Sequence, residues 1–172
     1  MLVNVFLIIV LAVCVITDLR ERKIYNKVIY PSLLLALLFH LFSNGVSGLT
    51  DSLLGFLVGL GVLLIPYLMG GMGAGDVKLL ALIGAIKGTS FVILTAVYMA
   101  LVGAIIGLII LMFNKVFLLR LKNFIFSIHR MRYGLRPDPL FDKKRMHAVF
   151  PYGLAIAGGA VVAFFRSGVV FL

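Results

Sequence analysis

Six apolar segments, separated by short polar stretches, constrain this chain of 172 residues more than any other feature. A helix that crosses a membrane needs roughly 20 apolar residues. The fourth segment is short, so it either begins in the headgroup layer or is reached by a loop that dips inward. We therefore predict an all-α, polytopic membrane protein with about six transmembrane helices, at residues 1–17, 28–43, 51–69, 77–87, 90–113 and 147–165.

The composition supports a single membrane-embedded domain over residues 1–172. Hydrophobic residues make up 63% of the chain and charged residues 13%, whereas soluble domains are about half apolar and a quarter charged. The net charge of +10 would suggest a nucleic-acid partner in a soluble protein. Here the basic residues lie between apolar segments, so we expect membrane lipid as a partner and no nucleic acid. We interpret residues 2–16 as a retained span because no basic region precedes them and no small-residue cleavage site follows.

The positions of the basic residues predict the orientation in the membrane. Cytoplasmic loops carry an excess of lysine and arginine. With the N-terminus outside, Lys87 and Arg166 are the two of the 16 basic residues that do not fall on the cytoplasmic side. This orientation places Asp18 and Asp76 together at the cytoplasmic boundary.

The largest polar region, residues 114–146, is predicted to be a cytoplasmic loop. Its first part, residues 115–131, has apolar residues at helical spacing and basic residues mostly on the opposite face. Such an amphipathic helix lies in the interface beside anionic lipid. It serves either as a topology anchor or in recruiting a substrate.

Two of the six acidic residues are the candidates for chemistry, because the other four are accounted for. Asp51 caps the third segment, Glu21 lies among arginines, and the acidic residues of the 114–146 loop are solvated. Asp18 and Asp76 remain. Each also has a plain structural interpretation, as an i, i+4 partner of Arg22 for Asp18 and as a helix cap for Asp76.

Other catalytic machinery is not recognisable in the sequence. There is no His-Glu-x-x-His motif, no Gly-x-Ser-x-Gly nucleophile and no P-loop, and Cys14 is the single cysteine. We therefore predict no metal and no cofactor. What remains is a pair of carboxylates and water, and two aspartates that share a proton can activate water and protonate a departing amine.

A glycine-rich stretch, residues 70–78, surrounds Asp76. Glycines leave the backbone bare and free to adopt positive φ, which permits close approach of another chain. We therefore take Gly73 and Gly75, with Lys78 and Asn26, as candidate substrate-contacting residues. The positive end of a helix and Lys78 both lower the pKa of Asp76, so we expect Asp76 to be charged and Asp18 to carry the proton.

Three motifs resemble those of the type IV prepilin peptidases, which are membrane aspartic proteases of prokaryotes. Residues 73–78, Gly-Ala-Gly-Asp-Val-Lys, resemble the family's GxGD motif, and residues 150–155, Phe-Pro-Tyr-Gly-Leu-Ala, resemble its last element. Residues 18–26 resemble the first motif, with Tyr25 where the family usually has proline. The resemblance covers nearly the whole chain and implies that Asp18 and Asp76 are the catalytic pair.

The resemblance implies an enzyme of the inner membrane that removes a short basic leader from pilin-like precursors at the cytoplasmic face. In these precursors a hydrophobic helix follows the leader. An archaeal-type preflagellin peptidase is an alternative within the family. Larger members carry an N-terminal zinc-binding segment and many also methylate the new N-terminus. This chain opens on a span and resembles the short members that serve tight-adherence (Flp) pili, so the resemblance does not extend to methyltransferase activity.

Two functions outside this class were also considered. A proton-coupled transporter would use intramembrane carboxylates as a relay. Such carboxylates usually lie near the midplane of proteins with internal repeats, whereas Asp18 and Asp76 are predicted at one boundary and no repeat is evident. A non-catalytic assembly factor on the same fold would have no need of both aspartates. The peptidase therefore remains the leading hypothesis.

Overall fold

The structure is a computed structural model that describes residues 2–21, 23–113 and 152–166. These residues form helices and contain no strand. The all-α prediction is therefore confirmed for this part of the chain. There are five helices in the described ranges: α1 (Leu2–Glu21), α2 (Asn26–Leu68), α3 (Ala74–Lys87), α4 (Thr89–Phe113) and α5 (Tyr152–Arg166).

Among the described residues, three helices are long and apolar enough to cross a membrane, and they correspond to α1, α2 and α4. The structure therefore supports an all-α membrane protein but not the predicted count of six spans. The second and third predicted segments both lie within α2, and α3 and α5 have only 14 and 15 residues. Both helices are shorter than the roughly 20 residues that cross a bilayer of full thickness.

Helix α2 is interrupted at Gly45, which has φ 63° and ψ −148°. This backbone conformation is one that residues with a side chain rarely adopt, and glycine adopts it without strain. The interruption falls between the second and third predicted segments. It divides α2 into an N-terminal half, residues 26–44, and a C-terminal half, residues 46–68.

The two halves of α2 run in opposite directions along α3. On the N-terminal half, Asn26 contacts Lys78 and His40 contacts Ile86, so the numbering rises together on both helices. The opposite order holds on the C-terminal half, where the contact pairs are Ser52 with Ala85, Gly55 with Gly84 and Gly59 with Leu80. The chain therefore reverses at Gly45.

Helix α3 is the most enclosed helix of the described part. Its side chains from residue 79 to residue 86 are 0–2% exposed where they are apolar. Gly55 and Gly84 approach so closely that neither has room for a side chain, and Gly59 lies equally tightly against Leu80. The GxxxG spacing of Gly55 and Gly59 in the sequence predicts close helix packing, and this prediction is confirmed.

The C-terminal end of α3 has its carbonyl groups satisfied by side chains from both halves of α2. Ser52 donates its hydroxyl hydrogen to the carbonyl of Ala85 at 2.6 Å, and the Nε2 of His40 donates to the carbonyl of Ile86 at 3.1 Å. The last carbonyls of a helix have no partner within the helix. Because this helix end is surrounded by apolar side chains, these two side chains remove a desolvation cost.

Helix α1 runs antiparallel to α3. The amine of Lys87, at the end of α3, donates to Oδ1 of Asn4 near the start of α1 at 2.8 Å. Helix α5 packs along α4 through glycine, with Gly159 against the backbone of Met99. The rings of Phe91 and Phe164 lie 4.9 Å apart, so α5 ends near the start of α4.

The chain divides into two compact units, one comprising residues 1–103 with 151–172 and the other residues 104–150. The first unit contains every contact given above. In the second unit the described part is the end of α4, residues 104–113. The predicted amphipathic helix at residues 115–131 and the loop at residues 114–146 lie outside the described residues, and the single-domain organisation stays a prediction.

Candidate active site

A cavity of about 330 Å³ lies where α1 ends, α2 begins and the glycine-rich stretch enters α3. Both aspartates singled out from the sequence contribute to its wall. The lining also includes two of the glycines and most of the short connection between α1 and α2. Its residues are Asp18, Lys23, Ile24, Tyr25, Asn26, Gly73, Gly75 and Asp76.

Asp76 lies in the first turn of α3, with its carboxylate folded back onto the residue that precedes the helix. The backbone N–H of Gly73 donates to Oδ2 of Asp76 at 3.2 Å. The N–H of Asp76 donates in return to the carbonyl of Gly73 at 3.2 Å. An acidic side chain three residues into a helix commonly satisfies the cap in this way. Asp76 is therefore a capping residue, and it also lines the cavity while only 8% exposed.

The pKa of the Asp76 carboxyl is raised to about 6, first by burial and second by the negative charge of Asp18. The hydrogen bond from Gly73 acts in the opposite direction and is the smaller influence. The prediction of a lowered pKa was therefore wrong. Burial disfavours the charged form more than the helix end favours it, and the amine of Lys78 is occupied by Asn26 and Tyr30.

Asp18 is contacted from the last helix of the described part. The N–H of Gly153, in the first turn of α5, donates to Oδ2 of Asp18 at 3.1 Å. A methyl group on Gly153 would lie 2.5 Å from that oxygen and 2.9 Å from Cγ of Asp18. From the sequence alone, Gly153 is predicted only to shape the entry to the sixth apolar segment. The motif at residues 150–155 was the signal that pointed to more.

The glycines of the loop do not have the backbone conformation that the sequence analysis expected. Residues 70–78 contain four glycines, and among these Gly70 adopts a positive φ, of 75°. Gly73 is extended with φ −80°, and Gly75 is helical. Gly75 instead lacks a side chain because Ile24 packs onto it. A methyl group there would lie 2.9 Å from Cβ of Ile24. This close packing brings the α1–α2 connection against the start of α3.

The remaining predicted site residues, Asn26 and Lys78, lie together. The amine of Lys78 donates to Oδ1 of Asn26 at 3.0 Å and to the hydroxyl of Tyr30 at 3.3 Å. It also lies 5.3 Å from the centre of the Tyr30 ring. Asn26 lines the cavity, and Lys78 holds the side chain of Asn26 through this hydrogen bond.

Sequence reasoning missed three residues of the cavity wall. Lys23 was considered only for membrane topology, and Ile24 and Tyr25 only as parts of a motif. Because α1 and α2 are joined by so few residues, the connection cannot leave the neighbourhood of Asp18, and this spacing was the available signal. The hydroxyl of Tyr25 donates to Glu21 at the end of α1.

No group of three histidine, cysteine or acidic side chains within the described ranges is arranged to hold a metal ion. The cavity has two carboxylates in its wall, and these can act as acid and base. One is buried with a raised pKa and the other accepts a backbone hydrogen bond. Such a pair can hold one proton between two oxygens and exchange protons with a water molecule.

A helical membrane protein with two carboxylates in one cavity is the class that this fold and site define. The model of the type IV leader peptidase family matches residues 5–121, which is more than half of the chain. The chain belongs to the type IV leader peptidase family. Searches of curated proteins and of solved structures found no match. Membership confirms the family suggested by the motifs, indicates a peptidase, and implies pilin-like precursors as substrates.

Proposed function

We propose that this protein is a membrane aspartic endopeptidase that removes the short basic leader from pilin-like precursors at the cytoplasmic face of the inner membrane. The observation that carries the proposal is the meeting of Asp18 and Asp76 in one cavity, from helices far apart in the sequence. The charge of Asp18 contributes to the raised pKa of Asp76, which ties the two groups electrostatically.

In the proposed mechanism Asp76 carries the proton and Asp18 is the base. Asp18 takes a proton from a water molecule as the water attacks the scissile carbonyl, while Asp76 donates its proton to the carbonyl oxygen. Asp18 then gives its proton to the amine nitrogen as the C–N bond breaks, and Asp76 takes a hydroxyl proton from the tetrahedral intermediate, so the new N-terminus is released and the resting pair is restored. The N–H of Gly153 stabilises the charged form of Asp18, and the burial of Asp76 keeps its proton in place.

The substrate backbone would lie across the exposed Gly73 at the cavity wall, beside Gly75, which Ile24 already covers on one side. An extended strand can pair with exposed backbone groups in such a setting. Asn26 supplies a side-chain amide at the cavity wall, and Lys78 fixes the position of that amide. The exposed Lys23 places a positive charge at the cavity.

We propose six membrane passes, in which the short helices α3 and α5 cross where the bilayer is locally thinner and the two halves of α2 cross in opposite directions. The reversal of the chain at Gly45 supports this arrangement, because the two halves of α2 run in opposite directions along α3. Lys23 precedes the first half and Asn44 ends it, so these two residues lie at opposite ends of residues 26–44. Cysteines introduced at these two positions in a Cys14→Ser protein should react with an impermeant maleimide from opposite sides of the membrane. Reaction from the same side would contradict the topology.

The proposed activity is tested by co-expression with candidate pilin-like precursors, read by intact mass. The parent protein should remove a leader-sized fragment, and a protein carrying both Asp18→Asn and Asp76→Asn should leave the precursor intact at equal expression. Processing by the doubly substituted protein would overturn the aspartic mechanism. Absence of processing by the parent across all pilin-like precursors would overturn the assignment of substrate.

A further inference from the structure

A second cavity, of about 450 Å³, lies at the end of α3 remote from the aspartates. Its wall is apolar except for one histidine ring. The Nε2 of that ring, in His40, already donates to the carbonyl of Ile86, so its hydrogen bond is made within the chain. The lining residues are Val3, Phe6, Leu35, Ala36, Leu38, Phe39, His40 and Ile86.

The same three helices form both cavities. Helix α1 contributes Asp18 to the first and Phe6 to the second, and α3 contributes Asp76 to the first and Ile86 to the second. Helix α2 contributes Asn26, at its start, to the first cavity and residues about three turns further along to the second. At 1.5 Å per residue, the spacing of Phe6 from Asp18 along α1 corresponds to roughly 18 Å. The two cavities therefore lie on one seam between α1 and α2.

The outer wall of the second cavity presents large apolar side chains away from the protein. Leu35 is 55% exposed and Phe39 is 42% exposed. Both belong to a helix that is apolar and long enough to cross a membrane. In a bilayer, helices associate through close packing of complementary surfaces rather than through exclusion of water. A concave apolar surface on a span is therefore suited to receive side chains of another membrane helix.

We propose that the seam between α1 and α2 holds the apolar helix of the precursor, and that the second cavity receives an apolar side chain from it. This inference rests on the proposed function. A pilin-like precursor as described above has a polar junction followed by an apolar helix, which matches a polar cavity followed by an apolar one. With the scissile bond at the aspartates, a helix rising 1.5 Å per residue reaches the second cavity roughly a dozen residues later.

The arrangement has a consequence for substrate choice. The carboxylate cavity binds and cleaves the junction. The apolar cavity binds only a precursor in which a hydrophobic helix follows the junction at the right distance. A peptide that contains the junction but lacks the helix would be cleaved without the contribution of the second cavity. A substitution that fills the second cavity would then remove the preference for precursors with a hydrophobic helix before it affects cleavage of the junction.

The test uses Leu35→Trp, which places a larger side chain in the cavity wall, and Leu34→Trp as its control. Leu34 is the neighbouring residue, is 59% exposed and does not line the cavity. Each protein is assayed in lipid vesicles with a full-length precursor and with a short peptide spanning only the junction. Leu35→Trp should lower kcat/KM for the full-length precursor by ~10-fold, the effect of one lost apolar contact in a pocket.

The same variant should cleave the short peptide at the parent rate, which also shows that the variant is folded. Leu34→Trp should match the parent on both substrates. Equal losses on both substrates, equal losses in both variants, or no loss in either would overturn the docking proposal. If the parent cleaves neither substrate, the proposed function itself fails, and this outcome is distinct from the other three.

Discussion

The two ends of α3 are built in opposite ways although they belong to one short helix. At its C-terminal end, Ser52 and His40 cap the last carbonyls, and Lys87 lies 5.3 Å from the rings of both Phe91 and Phe164 while donating to Asn4. The polar groups there are satisfied by this chain. At the N-terminal end, Asp76 and its neighbours face a cavity.

This difference separates stability from activity along one helix. Groups that are paired within the chain lower the free energy of the folded state, whereas groups left facing a cavity remain available to a substrate. Changes to the paired groups at the C-terminal end of α3 should therefore act on stability and leave cleavage of a short junction peptide unchanged, whereas changes at the N-terminal end should act on cleavage of the junction itself. The predictions below test that division, beginning with the largest effect.

The largest effect is expected from the carboxylates. Asp18→Asn and Asp76→Asn should each lower kcat/KM by at least ~10³-fold, and the double variant should lose little more, because the two groups act as a unit. Asp51→Asn is the matched control, since Asp51 is an exposed aspartate of α2 that does not line the cavity. An active Asp76→Asn protein would contradict the assignment of cleavage to the N-terminal end of α3.

The next effect concerns Gly153, which holds Asp18 from α5. Gly153→Ala should lower kcat/KM by about 10- to 100-fold, because a misplaced catalytic group is costly even at small displacements. The same substitution in an Asp18→Ala background should cost less thermal stability than in the parent, since the clashing carboxylate is gone. Equal stability costs in the two backgrounds would mean that Gly153 does not act on Asp18.

The sequence predicted the helical class, the position of most helices and the two carboxylates, because these depend on apolar patterning and on scarce acidic residues. It predicted a short fourth segment, which is α3, but not that the described part of α5 has only 15 residues. Burial also could not be read from the chain. The pKa of Asp76 was assigned the wrong direction because its 8% exposure results from packing between distant segments.

The roles of individual glycines illustrate the same limit. Gly55 and Gly59 were identified correctly because their spacing within one helix reports packing. The packing contacts of Gly75 and Gly153 were not predicted, because the side chains that exclude a substituent, Ile24 and Asp18, belong to other segments. A pattern within one segment predicts what that segment does, whereas a contact between segments requires the fold.

A third prediction separates the glycines of the loop. Gly75→Val should lower kcat/KM by roughly 10-fold or more, because its side chain would displace Ile24 from the cavity wall. Gly73→Ala should have a smaller effect, since its methyl group would lie 3.3 Å from Oδ2 of Asp76 and 4.0 Å from the nitrogen of Gly75. Thermal stability is measured beside activity, with Gly61→Ala as a control in open space. Cleavage by Gly75→Val at the parent rate would contradict a role for this packing in the site.

The fourth prediction addresses the C-terminal end of α3. Ser52→Ala should lower the free energy of unfolding by about 1–3 kcal/mol, because it leaves the buried carbonyl of Ala85 without its side-chain partner. The value of kcat/KM for a short junction peptide should stay at that of the parent below the melting temperature. A selective loss of activity without a loss of stability would show that the two ends of α3 are not independent.

The smallest expected effect is on pH dependence. Since Asp76 must carry a proton and its pKa is raised to about 6, kcat/KM should fall as the pH rises through about 6. Lys23 contributes a positive charge at the cavity, so Lys23→Gln should raise the pH at which activity falls, by a few tenths of a unit because an exposed charge is screened. Lys27→Gln, an exposed lysine of α2 outside the cavity wall, should leave the profile unchanged. A downward shift in Lys23→Gln, or equal shifts in both variants, would contradict the placement of Lys23 beside the carboxylates.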